Sequence, residues 1–208
     1  MPTGPFRAIM LALLSILLAT CAASTRVAKT YSDDAYANSS FSNFLVIGVA
    51  GNYNSRAQFE RAVVSGLRAE GASASAYYSV VQGNEPISRD AVLGAVQSGS
   101  FDAVLVTRVI GQQTDVDVKS GSAGAKATTI GGRPINFFRY NYEELNEPQS
   151  INFNTTVVLE TELFSSADEK MIWAIQSSST DAAVVGVLID NTATSIVSRL
   201  RRDGLIGH

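Results

Sequence analysis

The sequence predicts an α/β domain with an α+β tendency: a single mixed sheet with a β-α-β-α-β first half, followed by an antiparallel hairpin and a C-terminal helix. Three observations carry this. Short apolar runs rich in branched residues alternate with amphipathic stretches between residues 44 and 110. Two strand-like segments flank a turn-forming stretch at 165–169. An apolar stripe at helical spacing runs close to the end of the chain.

Residues 44–50 form the first expected strand, a continuous apolar run broken by residues 51–54. Ser55 and Gln58 then have the spacing of a capping box. Phe59, Ala62, Val63, Gly66 and Leu67 fall on one helical face. Arg56, Glu60, Arg61, Arg68 and Glu70 fall mostly on the other, and Gly71 suits the left-handed residue that ends a helix. A second strand is expected over 74–81, which puts Tyr77 and Tyr78 on opposite faces. Ser88 can cap a second helix with Asp90 in its first turn. Its apolar face is Ala91, Val92, Ala95 and Val96, and Gly99 is its expected stop. Residues 103–110 read as a third strand, apolar enough to be central. Strands joined by helices in this order are expected to lie parallel, with right-handed crossovers.

The second half changes character. Residues 114–119 alternate like a strand and put Asp115 and Asp117 on one face. Residues 120–134 are rich in Gly, Ser, Ala and Thr and read as a loop. An aromatic segment and the acidic residues Glu143, Glu144 and Glu147 follow. Residues 151–164 and 170–178 form the expected hairpin. The last helix is expected over 182–202, with Gly204 as its stop. No internal repeat divides the chain, so residues 44–208 read as one domain.

Composition excludes several function classes. The 208 residues are 46% hydrophobic and 17% charged, a globular balance. The net charge is -3. Such mild acidity does not fit nucleic acid, which asks for clustered basic residues. The one Cys is Cys21 and the one His is His208. A Cys/His zinc centre and an internal disulfide both need more ligands than that. No cofactor is expected: Gly48-Val-Ala-Gly51 lacks the third Gly of a dinucleotide fingerprint and the Lys-Ser/Thr ending of a phosphate loop.

Arg7 precedes a short apolar run over residues 8–18, too short to span a bilayer with ease. A positive residue before such a run is the grammar of an export signal. Leu18-Ala19-Thr20-Cys21 resembles the lipobox of bacterial lipoproteins, with Thr20 departing from the usual Gly, Ala or Ser. That resemblance implies a signal peptide over 1–20 and a lipid (palmitate and related acyl chains) on the Cys21 sulfur. It also implies a membrane anchor in the outer membrane, because Ala22 is not the Asp linked to inner-membrane retention. The open alternatives are a plain secretory signal cut after Ala22 or Ala23, and an uncleaved anchor. Residues 21–43, rich in small and polar side chains, read as a lipid-anchored tether.

The succession Phe44 to Ala50, Arg56-x-x-Phe59-Glu60, Leu67-x-x-x-Gly71, Asp102-Ala-Val-Leu-Val-Thr-Arg108, Glu160-Thr-Glu-Leu-Phe164, Ile172-Trp173-Ala174 and Leu200 to Ile206 resembles a family of small, poorly characterised bacterial envelope lipoproteins. The layout is similar to the amino-terminal domain of TolB and to lipoprotein activators of penicillin-binding proteins. The resemblance implies a non-catalytic protein that contacts a periplasmic or outer-membrane partner, and it supplies no catalytic residue. Read from the residues, the best candidate contact is Arg133, Phe137, Phe138, Arg139, Tyr140 and Tyr142, because rings and guanidinium groups dominate binding hot spots. The same rings could instead close the core. Asp115 with Asp117, and Glu160 with Glu162, are carboxylate pairs that could bind a cation or be a solvated strand face. Arg108 could meet an anion at the carboxyl edge of the sheet or pair with a carboxylate. A small-ligand binder or hydrolase using that edge and residues 48–55 is the alternative function.

Overall fold

The computed structural model describes residues 25–81, 87–114, 155–179 and 185–206. Among them six strands form one mixed sheet in the order β1-β6-β5-β4-β2-β3. The strands are β1 (Thr25–Ser32), β2 (Asn43–Val49), β3 (Ser73–Ala76), β4 (Ala103–Thr114), β5 (Thr155–Ser165) and β6 (Met171–Ser179). The helices are α1 (Tyr53–Ala69), α2 (Tyr77–Val80), α3 (Arg89–Gly99) and α4 (Val185–Arg202).

The expected parallel unit is present. β2 pairs in parallel with β3 on one side and β4 on the other, and β5 and β6 form the expected antiparallel hairpin. Period-two alternation sends successive side chains to two cores. Phe44, Val46, Leu105, Leu163, Trp173 and Ile175 face α1 and α4. Leu45, Ile47, Val104, Val106, Phe164 and Ala174 face α2 and α3. The α1–α4 contact is tight at Gly66, where a Cβ would sit 3.0 Å from Val197 Cγ2. Gly71 and Gly204 take positive φ angles of 92° and 74°, as helix-ending positions require.

Several local expectations are corrected. Residues 25–43 are not a tether. β1 lies inside that range and pairs antiparallel with β6 from Thr25↔Ser179 to Ser32↔Trp173. Asp33 then caps a 3-10 turn over Asp34–Tyr36. Phe41 is buried and bridges to Ile206. The expected 74–81 strand stops at Ala76, and Tyr77 begins α2 instead. The N-cap of α1 is Asn52, whose side chain accepts from Ser55 N, so Ser55 lies inside the helix. The left-handed residue after α3 is Ser100, one position past Gly99. Ser88 caps α3 as expected.

The sheet has two unlike ends. At the lower end Asp102 accepts from Ser42 N, Ser42 Oγ and Asn43 N at 2.8, 2.8 and 2.9 Å. Asp203 there accepts from Trp173 Nε1 at 2.7 Å and from Arg199 Nε at 3.1 Å, with Lys29 Nζ 3.6 Å away. The upper end holds the carboxyl ends of β2, β4 and β6 and the starts of β1, β5, α1 and α4.

A chain starting at residue 33 is expected to show a lower urea midpoint than one starting at residue 22, and to self-associate through the bared β6 edge. A tether would predict equal midpoints, so comparing the two denaturation curves decides between strand and tether.

Candidate functional site

The site lies where β3 leaves the sheet. Its last pair with β2 is Val46↔Ala76, yet β2 continues to Val49. Beyond that level β2 has no strand on this side. The N–H of Gly48 donates instead to Glu60 Oε1 at 3.0 Å. The other oxygen, Oε2, accepts from Tyr78 N at 2.9 Å. Tyr78 is the second residue of α2, whose N-cap Ala76 has no side chain able to cap it. A carboxylate from α1 therefore satisfies one donor of β2 and one of α2.

Arg56 stands one turn before Glu60. It is 93% buried, since only 7% of its surface is exposed, and Glu60 is fully buried. The guanidinium lies 5.3 Å from the Tyr53 ring centre and 5.9 Å from that of Tyr77, within range of a cation–π contact. Tyr53 and Tyr78 meet edge to face at 6.2 Å. Arg56 Nε is 3.9 Å from Glu60 Oε1, too far for a hydrogen bond, and has no other acceptor. Burial pushes the Glu60 carboxyl up to about 7, against the opposing pull of the N–H groups of Tyr78 and Gly48 and of the Arg56 charge.

Gly48 is glycine for a steric reason. A Cβ there would lie 2.9 Å from Phe59 Cδ1 and 3.6 Å from Arg56 Cγ. Beside this close approach is a cavity of about 60 Å³ between α1, α4 and the upper sheet. Phe59, Val109, Leu159 and Leu188 give it apolar walls, and Arg56 and Thr192 also line it. A concavity at the carboxyl edge is what the small-ligand alternative requires, although its walls are mainly apolar.

The sequence-derived candidates distribute unevenly. Arg108 and Glu160 are in-register partners on β4 and β5, bonded from Nη2 to Oε2 at 2.6 Å. This is the carboxylate pairing expected of Arg108, on the sheet face opposite the cavity. Cys21, Asp115, Asp117, Arg133, Phe137, Phe138, Arg139, Tyr140 and Tyr142 lie outside the described residues. Among the described residues no group of three or more His, Cys, Asp or Glu could hold a metal, and no helix is long and apolar enough to cross a membrane. Arg56 and Glu60 were expected on the solvent face of α1 and are instead buried. One signal could have found them: 56, 60, 63 and 67 make one row at spacings of four, three and four, the row of buried Val63 and Leu67.

Glu60 gives a pH signature. Its folded pKa lies above its ordinary 4.5, so the native state binds the extra proton between about pH 4.5 and 7. The stability it contributes is fully present below 4.5 and is lost as pH rises through 7. Asp168 and Asp203, held below the ordinary 3.8 by their hydrogen bonds and cations despite burial, act at lower pH and in the opposite sense. Urea unfolding followed from pH 4.5 to 7 is expected to show a fall that Glu60→Gln lacks. That variant is expected to lie within about 1 kcal/mol of wild type at pH 5, where the protonated carboxyl, like the amide, has one carbonyl oxygen to accept with. Gly48→Ala is expected to cost about 1–3 kcal/mol through overpacking against Phe59, read from the same curves.

No family model and no curated protein matches the chain. Among solved structures it is similar to the PelC dodecamer from Paraburkholderia phytofirmans (space group P6), with 12% identity over 88% of this chain and 100% of that one and a TM-score of 0.45. A single-substitution variant of the same dodecamer (space group C2) gives 12% identity over 85% and 98% and a TM-score of 0.43. Likeness at this level assigns no role to any residue of this chain.

Proposed function

We propose that the chain is a non-catalytic envelope lipoprotein, held to the outer membrane through Cys21 and facing the periplasm, that binds an envelope partner in assembly or maintenance. The observation that supports this most is that the exposed large apolar side chains lie toward one end of the sheet. Among the described residues the exposed large hydrophobic side chains are Tyr53, Ile110 and Val187. All three lie toward the upper end, at the start of α1, in the outer half of β4 and in the first turn of α4. Large apolar side chains left exposed toward one end suit a contact surface there.

The same end holds two chain positions that matter to the reading. Thr114 and Thr155 pair there and flank residues 115–154, which carry the aromatic candidates Phe137, Phe138, Tyr140 and Tyr142 with Arg133 and Arg139. Thr25 also starts there, and four residue steps reach from it to Cys21, at most about 14 Å. A lipid on Cys21 would hold this end close to the bilayer surface. The lipobox-like sequence and the resemblance to envelope lipoproteins support the address.

Cys21→Ser is expected to move the protein from the membrane fraction to the soluble fraction and to abolish metabolic palmitate labelling. Retention at wild-type level would overturn the anchor. Phe138→Ala with Tyr140→Ala, and separately Ile110→Ser with Val187→Ser, are expected to keep the wild-type melting temperature while losing proteins captured by crosslinking in intact envelopes. Unchanged capture by both pairs would overturn the partner surface.

A further inference from the structure

We propose that Glu60 is a proton-operated latch: when its carboxyl takes up a proton, it keeps the N–H of Gly48 and lets go of the start of α2. The latch rests on the contacts around Glu60 and not on the anchor at Cys21 or on a partner. One side chain bridges two elements, with Oε1 on Gly48 N at 3.0 Å and Oε2 on Tyr78 N at 2.9 Å. An ionised carboxylate accepts at both oxygens, whereas a carboxylic acid turns one of them into an O–H donor. That O–H set against an N–H is donor against donor, so the neutral acid holds one of the two N–H groups and not both.

Burial decides which bond gives way. Gly48 is buried, so an unmet donor there has no water to turn to. Tyr78 is half-buried, and solvent can take over its N–H. α2 is also lightly held. It is one turn of four residues, its N-cap Ala76 makes no side-chain cap, and the carboxylate draws the N–H groups of both Tyr77 and Tyr78. The charged and titratable groups acting on Glu60 are Arg56 on its own helix and Tyr77 on α2, while β2 contributes the Gly48 N–H. Arg56 and the backbone N–H groups favour the ionised form; burial outweighs them and brings the carboxyl up to about 7, so both forms are populated near neutral pH. Tyr78 meets the exposed Tyr53 ring edge to face at 6.2 Å, so release of the α2 start alters the packing of an aromatic group at the upper surface.

The test follows the purified full-length protein by NMR across neutral pH. The Glu60 carboxyl carbon and the Gly48 and Tyr78 amides are expected to titrate together with a midpoint of about 7. As pH falls through that midpoint, the hydrogen-exchange protection of Tyr78 N–H should drop about tenfold or more, the loss of one bond to a charged acceptor, while that of Gly48 holds. Global stability moves the other way, rising as pH falls, so urea unfolding run in parallel separates local release from unfolding. Glu60→Gln, which matches the neutral acid in shape, should show Tyr78 weakly protected at every pH and no titration of either amide. Tyr78 protection that stays constant while the Glu60 carboxyl titrates would overturn the latch. So would a carboxyl that does not titrate across neutral pH, or protection at Gly48 and Tyr78 lost together.

Discussion

The upper half of this fold depends on one buried carboxylate. β3 is four residues long and departs at Ala76, which leaves the buried backbone N–H of Gly48 on the side of β2 that has lost its neighbouring strand. An unmet buried donor costs about 1–3 kcal/mol, and α2 brings a second at its uncapped start. Glu60 meets both from α1, and that requirement fixes the register of α1 against β2. The glycine at 48 follows, because α1 must come close enough for the carboxylate to reach, and Phe59 then occupies the space a Cβ would need. The burial of Arg56 one turn earlier follows too, with its guanidinium stacked between Tyr53 and Tyr77. The cavity lies beside this packing, at the edge where Gly48 keeps the wall low.

Much of the architecture could be read from the sequence, because apolar periodicity and turn chemistry report it directly. β2, α1, α3, β4, the β5–β6 hairpin and α4 all carry continuous or evenly spaced apolar residues. β1 carries almost none. Its burial alternates only weakly, and what orders it is backbone pairing with β6, about 150 positions later in the chain. Local composition cannot report so distant a partner, which is why Thr25–Ser32 reads as a tether. The end of β3 was hidden for a related reason. Nothing local in Tyr77-Tyr78-Ser79-Val80 favours a helix, and the donor that makes the turn possible is satisfied from another element.

The site is the least legible part, because charged side chains on a helix ordinarily mark its solvent face. Arg56 and Glu60 sit in the same helical row as Val63 and Leu67, and the row, rather than the charge, determined burial. A four-residue spacing of opposite charges also fits an exposed helix pair. The charge spacing by itself does not separate the two, and the row is the one local sign, because what calls for a buried carboxylate is the missing strand beside Gly48. Arg108 and Glu160 behaved more simply: facing positions on β4 and β5 brought opposite charges together, as cross-strand pairing favours.

The absence of a tether from residue 25 onward changes what a lipid at Cys21 would do. A domain on a tether of about twenty residues would sample positions tens of ångströms from its anchor. A domain whose first strand starts four residues away is held by an edge of its own sheet, and its upper end has few orientations open to it. The hydrogen bonds to Asp102 and the hydrogen bonds and ion pairs of Asp203, which close the lower end, would then face away from the bilayer. Tyr53, Ile110 and Val187 would lie near it, together with the two ends of the segment at 115–154. The exposed apolar groups, the start of β1 and the two ends of the segment at 115–154 thus fall at one end through strand direction alone: β1 and β5 begin where β4 and β6 finish, as the antiparallel pairing of these four strands requires.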